Sequence, residues 1–309
     1  MSKVEDPILY RVMDFFEVVD LGAKKNLRIS NASRFSDTNE LIGVFLGVLE
    51  EPSFHHLNRK AFEDLRSYHS RLKEQYFISS WTKSRDNIAI WELYSRNSDA
   101  IQIGVRKSAL EAILGDYCHE RSFALAHGAE ASDGRALFYP LKSSSCDYVQ
   151  FSDELGRIRL RYQKFSRDFD ANLGDQDAAT EVYQEFSKER ALDLLRLPFL
   201  KDRAYQHEEE HRFVLCGVTR NDRSYEECKE DKFFELFDTH IRPLRREDVG
   251  ENIFVPVDPK IIEEVWIDGR CPPWKRDIQM ALLKELGLDA SVSPAYGSFF
   301  DFHEINPLF

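Results

Sequence analysis

The sequence predicts an α+β protein, with strands near both ends of the chain and helices grouped in the middle. Short runs rich in β-branched and aromatic residues occur before residue 106 and again after residue 210, whereas residues 157–200 are charged and carry helical spacing. Regular alternation of strand and helix would instead favour a doubly wound sheet. With 309 residues, 42 % of them apolar, we expect a single domain over 1–309 with a mostly helical insertion at about 107–200.

The first third of the chain supplies four predicted strands, identified by their β-branched and aromatic content. They cover residues 8–13, 27–30, 75–82 and 100–105. Helices are predicted over residues 38–49, 61–74 and 107–114. The first of these has apolar residues spaced three and four apart, as one buried face of a helix requires.

The last third returns to strands, predicted at residues 211–218, 252–257 and 261–267, followed by a helix over 273–286. Gly287 follows that helix, where a left-handed cap is expected. In the helical middle, five basic residues lie within eleven positions, with Tyr162 and Phe165 interleaved. A solvated helix face is the usual reading of such a run, and a contact to phosphate is the alternative. The five are Arg157, Arg159, Arg161, Lys164 and Arg167.

The overall charge and the cysteines exclude several protein classes. The chain has 42 Lys and Arg residues against 54 Asp and Glu residues, a formal net charge of −12, which argues against a general nucleic-acid coat protein. Five scattered cysteines without a C-x-x-C pair predict a reducing compartment. No secretory signal and no run of about eighteen apolar residues is present, so we expect a soluble cytoplasmic protein without a membrane partner.

The acidic segment at residues 205–213 carries the most chemistry, and it allows two interpretations. His207 and His211 flank three glutamates in a literal H-E-x-x-H, the pattern that places two imidazoles on one zinc ion in metallopeptidases. That chemistry needs a helix. The apolar run that follows, from Phe213 to Val218, favours a strand instead.

In a strand, alternate side chains point to the same face. Glu208, Glu210 and Arg212 would then share one face, and the residues between them would share the other. An isolated pair of this kind is usually a solvated strand edge. Its significance here depends on other segments of the chain.

Several short segments occur in a fixed order along nearly the whole chain, over about residues 9–286. They are Leu9-Tyr10-Arg11, Leu27-Arg28-Ile29-Ser30 running on to Phe35-Ser36-Asp37-Thr38-Asn39-Glu40, Ile78-Ser79-Ser80-Trp81-Thr82, Trp91-Glu92-Leu93-Tyr94, Ile101-Gln102-Ile103-Gly104-Val105, Lys201 and Glu208-x-Glu210-x-Arg212. This order resembles a widespread bacterial family of uncharacterised proteins. Three of the segments also resemble the Arg…Ser-x-Ser…Glu-x-Glu arrangement of ADP-ribosyltransferases. Thr82 replaces a Ser of that pattern, and Tyr205 stands where the bacterial family has Trp.

The resemblance implies a split β-sandwich of two small antiparallel sheets with helical insertions, and NAD bound in the cleft between them. It implies an NAD-dependent mono-ADP-ribosyltransferase that needs no metal. Breaking the nicotinamide–ribose bond creates an oxocarbenium-like centre, which a neighbouring carboxylate stabilises. By the resemblance that carboxylate is Glu210, while Glu208 orients or deprotonates the acceptor.

The same resemblance implies the residues that bind NAD. Arg11, with Tyr10 beside it, is expected to clamp a phosphate or the adjoining ribose, a task that suits a planar guanidinium. Ser80 and Thr82 would hold Glu210 and the nicotinamide ribose. Three aromatic residues are candidates to stack on a ring, although core packing is the commoner role of such side chains. They are Trp81, Phe35 and Tyr205.

The acceptor is expected to be a macromolecule, either a protein or RNA or DNA. Enzymes of this type are often toxins or phage-defence effectors restrained by an antitoxin, so a bacterial toxin with an antitoxin partner is the implied role. Three alternatives remain open: an NAD glycohydrolase that uses the same site, a zinc metallopeptidase through His207 and His211, and a non-catalytic module that binds a nucleotide or a partner. We expect Arg212 to pair with one of the glutamates and Lys201 to be a surface residue.

Overall fold

The computed structural model describes residues 6–35, 37, 40–41, 72–121, 137–138, 141–220, 241–243 and 249–296. The predicted helices at 38–49 and 61–74 lie almost wholly outside these residues.

Thirteen strands and six α-helices are formed by the described residues. The strands are β1 Ile8–Asp14, β2 Asn26–Asn31, β3 Tyr76–Thr82, β4 Ala100–Arg106, β5 Leu137–Phe138, β6 Lys142–Ser145, β7 Asp147–Val149, β8 Leu200–Asp202, β9 Glu210–Arg220, β10 Ile241–Pro243, β11 Asn252–Pro256, β12 Ile262–Ile267 and β13 Ser291–Val292. The helices are α1 Phe15–Lys24, α2 Ile88–Tyr94, α3 Lys107–Glu120, α4 Phe151–Ala171, α5 Gln176–Arg196 and α6 Pro273–Glu285. Most of the predicted strands are therefore confirmed, within one or two residues at their ends.

Eleven of these strands join one branched sheet. Its main path runs β10-β9-β3-β1-β4-β12-β13, while β11 and β2 extend from β3, and β5 and β6 pair with β9. Every pairing except β12 with β13 is antiparallel, and β7 and β8 form a separate parallel pair. A mixed α/β chain with a mostly antiparallel sheet is compatible with the predicted α+β class.

Strand β3 is the branch point of the sheet. One edge of β3 pairs with β9 over its whole length. The other edge meets β2 near its start, at Ile78 opposite Ser30, and β1 at its end, at Thr82 opposite Tyr10. The strand that carries the Ser-Ser-Trp-Thr segment therefore lies between the two other motif strands, β1 and β9.

The two faces of the sheet bury different clusters. One face carries the main hydrophobic core, where buried residues of β1, β3, β4 and β9 pack beneath α1, α3 and α6. Each fully buried large apolar side chain there contributes roughly 1.5–3 kcal/mol. The opposite face carries two smaller clusters, one around Ile78 and Leu200 and one around Trp91. The opposite face also holds the polar residues described below.

The acidic segment is not extended throughout, contrary to the prediction. Asp202 caps a 3₁₀ turn over Arg203–Glu208 by accepting a hydrogen bond from the Ala204 N–H (2.8 Å). Glu209 follows with a left-handed backbone, φ 45°, and strand β9 begins only at Glu210. The cap stabilises a helical turn where the sequence pattern favoured a strand.

The remaining elements agree with the sequence in most places. Gly287 has φ +76° and follows Leu286, the C-cap of α6, which confirms the expected left-handed cap. Helix α1 was not predicted, because its apolar run is short. Its N-terminus is capped by Asp14, which accepts a hydrogen bond from the Phe16 N–H (2.9 Å). Within the described part of the chain, none of the helices combines the length and apolar character that crossing a bilayer requires.

Candidate functional site

Strands β1, β3 and β9, which carry segments of the ordered series, bring one residue each into a single row across the sheet. Tyr10 of β1 lies opposite Thr82 of β3, and Thr82 lies opposite Glu210 of β9. Directly opposed residues of antiparallel strands project to the same face. Ser80 pairs with Arg212 in the same way. The structure therefore brings together Tyr10, Ser80, Thr82, Glu210 and Arg212 on the face opposite the main core.

Arg11 is not part of this face, so the structure does not place its guanidinium beside Glu210. Successive residues of a strand point to opposite faces, and Tyr10 takes the position that faces Thr82. The Arg11 guanidinium lies on the core face, where it donates to the carbonyl of Arg28 (3.3 Å) and approaches Glu17 (3.5 Å). The alternation along β1 therefore separates it from the glutamates.

Trp81 and Phe35 both pack within the apolar clusters, Trp81 fully buried and Phe35 partly buried. Trp81 is buried in the main core, and its indole N–H donates to the Ser79 hydroxyl (2.9 Å). Phe35 packs against the smaller apolar cluster around Ile78. For both residues, core packing is the role that the structure gives.

The centre of the site is a buried ionic network, which we call the carboxylate cluster. Lys201 Nζ lies 2.6 Å from Glu210 and also contacts Glu208. Arg212 donates from Nε to Glu210 (2.8 Å) and from Nη1 to Glu40 (2.6 Å). All five residues are at most 8 % exposed, so solvent screens these charges weakly. Three carboxylates face two cations within the cluster.

The cations fix the charge state of Glu210. Burial alone would raise the pKa of this carboxyl, but the charges of Arg212 and Lys201, with their hydrogen bonds, outweigh burial and lower its pKa to about 2. Burial disfavours the ammonium of Lys201, yet Glu210 and Glu208 raise its pKa above the ordinary value. Glu210 is therefore a carboxylate throughout the physiological range.

Three tyrosines surround the carboxylate cluster. Tyr94 donates its hydroxyl to Glu208 (3.0 Å), and Tyr148 accepts a hydrogen bond from the Glu210 N–H (2.7 Å). The ring of Tyr205 lies 4.9 Å from Lys201 Nζ, a cation–π distance. Burial, followed by the charge of Glu208, raises the pKa of Tyr94, so its hydroxyl stays protonated as a donor.

The two predicted hydroxyls of β3 differ in their contacts. Thr82 is buried, and its Oγ1 accepts a hydrogen bond from the Ser84 N–H (3.0 Å), which stabilises the end of the strand. Ser80 is half-buried on the same face as Glu210. Both therefore lie beside the carboxylate cluster.

The zinc interpretation of H-E-x-x-H requires both histidines on one helix, and the structure does not have that helix. Its two histidines are not on one helix, because His207 lies within the 3₁₀ turn while His211 lies in β9. His207 is exposed, and the His211 ring contacts Ser143 and Ser145. The described side chains contain no cluster of three or more His, Cys, Asp or Glu arranged to bind a metal ion.

The basic run of the middle segment belongs to a helical hairpin of α4 and α5. Phe165 of α4 stacks on Phe186 of α5 at 4.2 Å between ring centroids, so this aromatic residue packs within the hairpin. Arg157 pairs with the buried carboxylate of Glu154 at 2.6 Å. Arg157 and Phe165 are therefore engaged within the fold.

Sequence reasoning missed several members of the carboxylate cluster. Lys201 was expected at the surface but is buried at its centre, and Glu40, Tyr94 and Tyr148 were given no role. For Lys201, Tyr94 and Glu40 a signal existed, because all three occur in the ordered series of segments. Comparison of the chain with protein-family models, with curated proteins and with solved structures found no match.

Proposed function

We propose that the chain is an NAD-dependent mono-ADP-ribosyltransferase in which Glu210 stabilises the ribosyl transition state. The observation that carries this proposal is that Glu210 is held ionised, with a fixed orientation, on the face shared by Tyr10, Ser80 and Thr82. A carboxylate that stabilises positive charge must keep its own charge at every working pH. The two cations bound to Glu210 provide for this.

The chemistry requires little more than such a carboxylate. Nicotinamide leaves a cationic ring as a neutral molecule, so no general acid has to protonate it. Positive charge then develops on the ribose, where a preorganised carboxylate lowers the barrier. Because Lys201 and Arg212 fix both oxygens of Glu210, the carboxylate needs little reorganisation when that charge appears.

Glu208 is suited to act on the acceptor. It lies at the end of the 3₁₀ turn, shares Lys201 with Glu210, and accepts a hydrogen bond from Tyr94. A second carboxylate beside the reacting carbon can receive the acceptor's proton. Loss of Glu208 is therefore expected to affect transfer more than nicotinamide release.

Substrate reaches the carboxylate cluster past Tyr94 and Tyr205. Tyr94 is 51 % exposed and Tyr205 is half-buried, whereas Glu210 is only 4 % exposed. Tyr94 contacts Glu208 and Tyr205 contacts Lys201, so both rings border the carboxylate cluster, and we assign Tyr205 its expected role of stacking on a ring of NAD. Tyr10 replaces Arg11 as the β1 residue that faces the nucleotide.

The branched sheet supports the split β-sandwich that the resemblance implies. Strands β2 and β1 leave β3 at different positions along its length, near Ile78 and at Thr82. This gives two strand groups that share β3, and we place NAD between them. The carboxylate cluster then lies beside the nicotinamide ribose.

Purified protein incubated with radiolabelled NAD and cell extract tests the proposal. Wild type should release nicotinamide and transfer label to a protein or nucleic acid. Glu210→Gln should lower nicotinamide release by roughly 10²–10³-fold. Glu208→Gln should keep most of the release while losing transfer, and release by wild type without transfer would identify an NAD glycohydrolase. Release that is unchanged in Glu210→Gln, or absent in wild type with every extract, would refute the proposal.

A further inference from the structure

His211 lies on the opposite face of β9 from Glu210 and takes no part in the proposed NAD chemistry. It is directly opposed by Ser145 of the neighbouring strand β6, and the next residue on the same face of β9, Phe213, is opposed by Ser143. The His211 ring lies between these two serines. Its Nε2 is 2.9 Å from the Ser143 hydroxyl, and its Nδ1 is 3.3 Å from the Ser145 hydroxyl.

The hydrogen-bond partners show which groups donate and which accept along this series of contacts. Ser143 donates its hydroxyl proton to Glu111 of α3 (3.1 Å), so its oxygen is left to accept from the His211 Nε2–H. The lone pair of Nδ1 then accepts from the Ser145 hydroxyl. Glu111, Ser143 and His211 thus form a relay that ends at the Ser145 oxygen. Glu111 also pairs with Lys107 (3.1 Å).

The ring is neutral under ordinary conditions. Burial and, to a smaller extent, the charges of Lys107 and Lys83 lower the pKa of His211 to about 4, because Glu111 offsets only part of their effect. A neutral imidazole keeps the lone pair that a general base needs.

Ser145 is accessible from the edge of the sheet. It lines a pocket of about 480 Å³ together with Ser143, Ser144 and the side chains of Arg196 and Phe199. Among the described strands β6 pairs with β9 alone, and none of them covers its other edge, which we call the open edge. The Cys146 N–H points toward β9, where it donates to the Glu210 carbonyl (2.8 Å). Because N–H groups alternate along a strand, the Ser145 N–H points to the open edge.

We propose that Ser145 is a nucleophile, activated by His211, which takes acyl groups from carboxylic esters. The Ser145 oxygen attacks the ester carbonyl carbon, and its proton moves to His211 Nδ1. The Ser145 N–H donates to the oxygen that becomes negative. The ester C–O bond breaks, and the alcohol leaves with the proton from Nδ1. Water then attacks the acyl-serine by the same route, releasing the carboxylic acid and restoring the hydroxyl.

A fluorophosphonate probe and p-nitrophenyl acetate test this inference on the full chain. The probe should add to wild type at one equivalent, with the label mapped to Ser145 by mass spectrometry, and p-nitrophenol should be released. Ser145→Ala should lose both. Glu111→Gln should slow labelling at least tenfold, since it removes the end of the relay without touching Ser145 or His211.

Two controls separate this inference from misfolding and from the proposed function. Ser144→Ala, one residue away in the same strand and pocket, should label as wild type does. Glu210→Gln should also label normally, since it acts on the other face of β9. Circular dichroism and urea unfolding identify variants that have lost the fold. If Ser145→Ala does not fold, Ser145→Cys takes its place, with iodoacetamide labelling at residue 145 as the readout. No labelling of folded wild type, labelling elsewhere, or equal labelling of Ser145→Ala would overturn the inference.

Discussion

The carboxylate cluster makes a quantitative prediction for Lys201→Met. Methionine keeps much of the apolar stem of the side chain and removes the ammonium that binds both Glu208 and Glu210. The charge of the cluster then changes from one excess carboxylate to two, in a site where each residue is at most 8 % exposed. Removing one partner of a buried ion pair costs about 3–5 kcal/mol. We therefore expect the free energy of unfolding at pH 7 to fall by that amount.

The pH dependence distinguishes electrostatics from lost packing. In the wild type, the pKa of Glu210 is depressed from 4.5 to about 2 in the folded state, which contributes about 3 kcal/mol of stability at neutral pH. That contribution is fully present above about pH 4.5 and is lost as the pH falls toward 2. Without Lys201 the depression is smaller. The difference between wild type and variant should therefore be largest at neutral pH and should shrink below pH 4.5.

Urea unfolding followed by tryptophan fluorescence, at pH 7 and at several values down to pH 3, measures this difference. Lys260→Met is the matched control, because Lys260 is exposed before β12 and its replacement should cost less than about 0.5 kcal/mol. A loss below about 1 kcal/mol for Lys201→Met would contradict the reasoning, given the cost expected for a buried pair. A difference between the two proteins that stays constant from pH 7 to pH 3 would contradict it as well.

Three further predictions follow from the fold and the site. Arg11→Gln should change nicotinamide release by less than about twofold, because the residue lies on the opposite face of the sheet; a loss comparable to that of a catalytic residue would contradict the placement. Gly104→Ala should destabilise the protein by about 1–3 kcal/mol in urea unfolding, since the added Cβ would lie 2.9 Å from the Tyr10 ring. Gly115→Ala should instead stabilise the protein by about 1 kcal/mol, because Gly115 lies in α3 and its added Cβ would have nothing within 4 Å. Burial raises the pKa of the Cys118 thiol to about 12, so this thiol should resist iodoacetamide at pH 8 until the protein unfolds. Peptide mass spectrometry measures the alkylation, and rapid alkylation of the native protein would contradict the core packing of α3.

The sequence predicted the strands better than it predicted which faces they present. Residue types and their alternation located β1, β3, β4 and β9, because these signals are local. The register between strands depends on pairings far apart in sequence. A strand places every second residue on one face, so the choice between Tyr10 and Arg11 was decided only by the pairing of Tyr10 with Thr82.

The conformation of the acidic segment, residues 205–213, was also predicted only in part. Its strand character was predicted from the apolar residues after His211, and this holds from Glu210 onward. The cap at Asp202 and the left-handed Glu209 are local features too, and they delay the strand until Glu210, with Glu208 in contact with Lys201. Lys201 itself could not be predicted as buried, because a buried lysine depends on partners that only the folded chain supplies.

The ratio of nicotinamide release between two neighbouring variants tests the central claim most directly. Glu210→Gln and Glu209→Gln make the same chemical change one residue apart, but Glu210 lies in the carboxylate cluster, whereas Glu209 is exposed and accepts a hydrogen bond from Ser84 (2.8 Å). With equal concentrations of folded protein and excess NAD, the account predicts that Glu209→Gln releases nicotinamide at the wild-type rate and Glu210→Gln at least about a hundred times more slowly. Equal rates in the two variants would contradict it.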